Sequence, residues 1–167
     1  MALLDVLHFP DARLRNKARA VASVDENVLQ LATDMLETMY AAPGIGLAAI
    51  QVNIPLRVVT IDISKDHNDP LILINPQIIQ SRGTFSSEEG CLSVPDIYEP
   101  VERAQWVRFS YLDENAQNVQ REAEGMLAVC VQHEIDHLDG RLFVDYISTL
   151  KRERIRKKLL KLQRSAT

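Results

Sequence analysis

Residues 125–138 read Gly-Met-Leu-Ala-Val-Cys-Val-Gln-His-Glu-Ile-Asp-His-Leu. The first half, Met126–Val131, is apolar on every face, so the segment is predicted to be a helix buried inside the molecule. Gly140 ends it. The second half turns polar without leaving the helical pattern: Gln132-His133-Glu134-Ile135-Asp136-His137. Ionisable groups carried into an interior need a partner or a metal. His133 and His137 are four apart, which puts both on one face about one turn, ~5–6 Å, apart. Two imidazoles so placed can converge on one ion. Glu134, beside the first, can then act as general base on water at that ion.

A buried helix requires other layers around it, and the flanking sequence supplies them. Val28, Leu31, Ala32, Met35, Leu36 and Met39 recur at helical spacing within residues 28–40, and Ala42-Pro43-Gly44 stops that helix. Residues 57–63 and 71–75 are rich in β-branched residues and read as strands. Pro76 begins a further extended stretch that ends at Arg82-Gly83. Residues 106–112 alternate as a strand, 113–118 form a turn, and 119–124 return. A third helix runs from about Thr149 to Arg164. Strands followed by helices, rather than strict alternation, indicate an α+β fold.

The chain has 167 residues, which suits a single domain, 1–167, with a real core. Hydrophobic residues at 46% and charged residues at 25% exclude disordered, collagen-like and coiled-coil classes. No apolar run is long enough to span a bilayer, and Met1–Phe9 carries Asp5 and His8 rather than a basic leader. Two cysteines cannot build a disulfide framework, so a reducing, cytoplasmic setting is expected, where a thiol serves metal or catalysis. Net charge is −4, but residues 151–167 hold eight Lys/Arg against Glu153, leaving −11 on the rest. The basic tail, 149–167, is either a solvated helix face or a contact for an anionic partner.

A catalytic metal takes about three protein ligands and keeps one position open. Downstream, Asp139 and Asp145 do not fit the longer metalloprotease pattern. Cys130 lies a full turn from the ion and reads as a small core residue. Cys91, in Glu88-Glu89-Gly90-Cys91-Leu92-Ser93-Val94-Pro95, is the better third ligand. The stretch Gly44-Ile45-Gly46-Leu47-Ala48-Ala49 matches G-x-G-x-x-A, but a helix precedes it and no crossover helix fits before Val58, so a dinucleotide site is excluded.

Three motifs in this order, GIGLAAIQ at 44–51, EGCLS at 89–93 and QHEIDH at 132–137, resemble those of peptide deformylases. These metallohydrolases remove the formyl group from N-formylmethionine at the start of nascent bacterial proteins. The similarity runs from the N-terminus to about residue 150. It implies a metal-bearing central helix enclosed by antiparallel or mixed sheets, with Cys91, His133 and His137 as ligands and Glu134 as general acid/base. Gln51 and the Leu92 N–H would donate to the formyl oxygen as negative charge develops there. The implied metal is Fe(II), with nickel, cobalt or zinc able to substitute.

The resemblance also suggests that Ile45, Gly46 and Gly90 hold peptide backbone by strand addition. Ile45, Glu89, Met126 and Val129 would line the methionine pocket, and the helical spacing itself puts Met126 and Val129 on the His133 face. Arg103 and Asp136 would pair and brace the ligand helix. Tyr98 stands where the best-known bacterial members carry an arginine. Some relatives dock a comparable C-terminal helix on ribosomal RNA, and a cationic helix would bind phosphate in a salt-dependent way. The expected protein is a monomer acting on N-formylmethionyl nascent chains. A zincin-like endopeptidase and a ribosome-binding module with a structural metal are the competing readings.

Overall fold

A computed structural model describes residues 2–165. The side chain of Asp25 opens α1 (Glu26–Ala41) by accepting from the Val28 N–H at 3.0 Å. That satisfies one of the donors a helix start leaves unpaired. Val28, Leu31, Ala32, Met35 and Met39 are buried along one side of this helix. The Gly44 N–H closes onto Met39 O at 2.7 Å and turns the chain into the first strand.

Seven strands follow: β1 (Gly46–Ala48), β2 (Val58–Ile61), β3 (Leu71–Arg82), β4 (Phe85–Cys91), β5 (Val94–Arg103), β6 (Trp106–Leu112) and β7 (Asn118–Glu124). Five form an antiparallel sheet in the order β1-β2-β3-β6-β7, and β4 with β5 makes a separate hairpin. The sheet is covered on both faces, which is why every residue of β2 is buried. On one face Val58 and Ile74 pack with Met35 and Met39 of α1. On the other, Val59, Ile61, Val107 and Phe109 pack with Val131, Ile135 and Leu138 of α2 (Gly125–Leu138). The apolar half of residues 125–138 thus goes where its composition demands.

Two features depart from the expectations. Pro76 does not separate two segments; β3 runs through it as one strand. Asn75 takes φ +52°, and its side chain bonds the Val21 backbone through both polar ends, at 2.8 and 3.0 Å. The register against β6 shifts between Ile74 and Gln77, and a bulge is where a strand tolerates proline. The second departure is the β4–β5 hairpin, which no sequence period announces. Its strands carry Glu88, Glu89, Asp96, Glu99 and Glu102 and two prolines, so no apolar alternation marks it.

Gly140 ends α2 at φ +78°, with its N–H on His137 O at 3.1 Å. A Cβ there would stand 2.5 Å from Arg15 O, so only glycine lets the two segments cross. A third apolar cluster, with Phe9, Leu14, Val94, Val101, Leu142 and Phe143, clamps the hairpin and the N-terminal segment beside the end of α2. α3 (Thr149–Ser165) adds Ile155 and Leu159 to it. The buried side of the tail helix is narrow: Leu150 and Leu162 are 63% and 50% exposed. No helix among the described residues is long and apolar enough to cross a membrane.

Candidate metal centre

The third cluster brings the Cys91 end of β4 onto the polar half of α2. Cys91 Sγ lies 3.3 Å from His137 Nε2, which lies 3.2 Å from His133 Nε2. Both imidazoles are buried and the cysteine is half-buried. Cys91, His133 and His137 therefore meet at one point although strand and helix are distant in sequence. Cys130, as expected, joins the core instead.

These donors fit a metal ion. Tetrahedral coordination with ~2.0–2.1 Å to nitrogen and ~2.3 Å to sulfur sets donor atoms about 3.3–3.6 Å apart, close to the separations present. The His133 Nδ1–H is engaged by Glu89 Oε1 at 2.8 Å, which turns the Nε2 lone pair toward His137. Two such lone pairs at 3.2 Å repel unless a cation or proton stands between them. Burial disfavours charge on both rings. The Glu134 carboxylate, with Cys91 and Glu89, nonetheless holds His133 well above its usual value. Burial and the resulting charge on His133 hold His137 well below. The pair has room for one positive centre.

Glu134 is buried beside this point, with Oε2 3.9 Å from His133 Nε2. Its Oε1 and His137 Nδ1 have no hydrogen-bond partner among the described residues. Burial pushes the Glu134 carboxyl up to about 7, with Glu89 and Asp136 adding to the rise and His133 and Arg103 opposing it. A carboxyl so placed can take and return a proton near neutrality. It packs directly on Gly46, where any Cβ would collide with its carboxylate.

Gln51 is buried, its Oε1 accepting from the Ala48 N–H at 2.9 Å. That bond aims Nε2 at Cys91 Sγ (3.4 Å) and Ser93 Oγ (3.0 Å). Leu92 stands at the tip of the β4–β5 turn, beside Gly44. A cleft of about 730 Å³ opens over the centre, and Ile45, Gly46, Glu89, Gly90, Met126 and Val129 all line it. Val129 is buried in its wall, while Ile45 and Met126 stand exposed at the rim.

Glu89 plays a larger part than a pocket lining. Its carboxylate accepts two hydrogen bonds from Arg103, at 2.6 and 2.9 Å, besides the one from His133. Burial alone would raise this carboxyl, but Arg103 and His133 hold it below the usual range. Arg103 also reaches Asp136 at 2.7 Å, forming the expected pair. Tyr146, not expected from sequence, donates to Asp136 at 2.7 Å and lies under the Arg103 guanidinium. No local spacing announces these partners; only the need of a buried arginine for carboxylates could have prompted a search.

Two imidazoles and a cysteine sulfur around one point, with a buried carboxyl beside them under an open cleft, define a metal-dependent hydrolase. Comparison with known proteins makes the class specific. The polypeptide deformylase family model matches residues 3–153. A peptide deformylase of Nitrosococcus oceani is 60% identical over 98% of either chain, and one of Pseudomonas aeruginosa is 55% identical over 98% of either. The crystal structure of a peptide deformylase from Legionella pneumophila superposes with a TM-score of 0.94 at 45% identity, over 99% of this chain and 98% of that one. One from Ehrlichia chaffeensis in complex with actinonin gives 0.95 at 37%, over 98% and 99%. The chain belongs to the polypeptide deformylase family, enzymes that remove the N-formyl group from nascent polypeptides. The endopeptidase and structural-metal readings are not favoured by these relationships.

Proposed function

We propose that this chain hydrolyses the formamide of N-formylmethionyl nascent chains through Glu134, Gln51 and the Leu92 N–H, with Cys91, His133 and His137 holding Fe(II). The donor set, two imidazoles and a thiolate, suits the softer divalent metals, among them nickel, cobalt or zinc as substitutes. A bound ion of this kind supplies Lewis acidity, acidifying water and polarising a carbonyl oxygen. The observation that carries the reading is the convergence of the three ligand atoms beside the Glu134 carboxylate.

The substrate backbone is held by β1. Asp62 N–H donates to Ile45 O at 2.9 Å, and Gly46 is in register with Ile61. Hydrogen-bonded pairs alternate along an antiparallel ladder, so Gly46 turns its N–H and C=O away from β2. Those groups, with Gly90 on the opposite wall, are free to pair with an extended peptide. The methionine side chain then enters between Ile45, Met126 and Val129, a lining suited to its flexible thioether.

With the formyl carbon over the centre, Glu134 accepts a proton from the attacking water. Gln51 Nε2 and the Leu92 N–H donate to the formyl oxygen as it gains negative charge. Glu134 then gives its proton to the departing nitrogen, the C–N bond breaks, and formate and a free amino terminus result. Arg103 and Asp136 keep α2 and Glu89 in place behind the ligands.

In the same reading the enzyme is a cytoplasmic, monomeric single domain whose basic α3 face contacts ribosomal RNA. Formate release from a formyl-Met tripeptide by anaerobically prepared protein tests the central claim. Release by the parent and none by a metal-loaded Glu134→Ala protein is expected. No release by the iron-loaded parent would overturn it.

A further inference from the structure

The rim of the cleft carries charge of one sign. Glu88, Asp96 and Tyr98 line it outside the methionine-sized part, and no Lys or Arg lies among its described lining residues; His8 is the only other titratable group at the mouth. Glu89 and Glu134 belong to the centre, but Glu88 and Asp96 are exposed and have no ion-pair partner among the described residues. Glu88 pairs with Pro100 across the hairpin, so Glu88, Gly90 and Tyr98 share one face. The Tyr98 ring packs on Gly90, 2.5 Å from where a Cβ would be, and is still 66% exposed. An aromatic surface is therefore pinned beside the strand edge along which the peptide runs.

Resting on the deformylase reading above, we propose that this rim selects formylated chains with Lys or Arg immediately after the methionine. The aliphatic stem lies on the Tyr98 ring and the cationic head reaches Glu88 and Asp96. Long basic side chains cover apolar surface with their stems while the charge stays in water, and a cation over a tyrosine face is attracted to it. Acidic residues in the same places meet two carboxylates and no cation. Because the groups are exposed, the preference is modest and weakens with salt.

The test compares kcat/KM for formyl-Met-Lys-Ala, formyl-Met-Ala-Ala and formyl-Met-Glu-Ala on iron-loaded enzyme at low and high salt. The expected Lys-to-Glu ratio is about tenfold or more at low salt and shrinks at high salt. The double variant Glu88→Gln, Asp96→Asn should bring the ratio to within a few-fold. Asparagine tolerates the +62° φ of Asp96, so this variant keeps the backbone of β5. Tyr98→Arg should lower the ratio as well. Glu114→Gln, an exposed acid in the β6–β7 turn, should leave it unchanged, which separates a local effect from net charge. Equal rates for the three peptides, or a Lys preference untouched by the rim variants, would overturn the proposal alone. Release from none of the three would overturn the deformylase reading and this proposal with it.

Discussion

Oε1 of Glu89 stands 2.8 Å from Nδ1 of His133, while the same carboxylate takes two hydrogen bonds from Arg103. The pairing fixes the imidazole's orientation and its tautomer, and so decides which nitrogen faces the centre. Removing such an outer partner typically weakens metal binding about 10–100-fold. Glu89→Gln is therefore expected to lose metal to a competing chelator at correspondingly lower chelator concentration. Metal content by elemental analysis across a chelator titration checks this independently of activity.

Arg103 is almost wholly buried between Glu89 and Asp136. Burial opposes its charge, but the two carboxylates outweigh that and raise its pKa further. Truncating one member of a buried charge network leaves the others unpaired, at a cost of about 3–5 kcal/mol. Arg103→Ala should unfold at markedly lower denaturant and retain metal poorly. Unchanged stability, metal retention and formate release would show that the network is not the brace it looks to be.

Glu134 has no hydrogen-bond partner at Oε1 among the described residues, and its Oε2 stands 3.9 Å from His133 Nε2, beyond hydrogen-bond distance. Its replacement by alanine should leave the ligand triad able to hold metal. Loss of a general acid–base group costs about 10²–10⁴-fold in rate. The expected result is a folded, metal-loaded protein with formate release reduced by at least that factor.

Deleting the tail is a poor test of ribosome binding, because Ile155 and Leu159 are part of the cluster that clamps the hairpin. Neutralising exposed cations instead leaves that core intact. Changing Arg154, Lys157, Lys158 and Lys161 to glutamine should weaken ribosome binding and flatten its salt dependence. The log–log slope should fall by about 0.7–0.9 for each phosphate the helix no longer neutralises. Rates on short formyl peptides should hold. Unaltered ribosome affinity would sink the proposed role of the helix.

Cys91 is only half-buried at the centre. With Fe(II) bound as proposed, a sulfur open to the cleft would be exposed to oxidation toward sulfenic and higher states. Activity of iron-loaded enzyme is expected to fall in air and to persist anaerobically, with mass spectrometry locating added oxygen on Cys91. Oxidation found only elsewhere would contradict the assignment.

Local order is legible along the chain because helical and strand periods are short-range. Val28 to Met39 declare one helix face, Trp106 to Leu112 declare a strand, and His133 and His137 fall on one side of a helix by spacing alone. Cys91, Gln51 and Glu134 emerge from motif chemistry and family resemblance. The β4–β5 hairpin does not emerge, because its strands are acidic and proline-bearing, held by tertiary burial of Val94 and Val101 rather than by pattern. Glu89 reads from sequence as a pocket residue because nothing in Glu88-Glu89-Gly90-Cys91 says which carboxylate turns inward.

What the amino-acid order determined by itself is the α+β class, the ligand helix and the residue types the chemistry requires. All of these follow from interactions between residues a few positions apart. The tertiary structure decided the rest: that Cys91 meets His137 across 46 residues, that Glu89 stands behind His133 with Arg103, and that the cleft rim is acidic. Those relations depend on which surfaces the apolar clusters press together. Hydrophobic burial is non-directional, so its outcome is set by the packing of the whole molecule rather than by any one stretch of sequence.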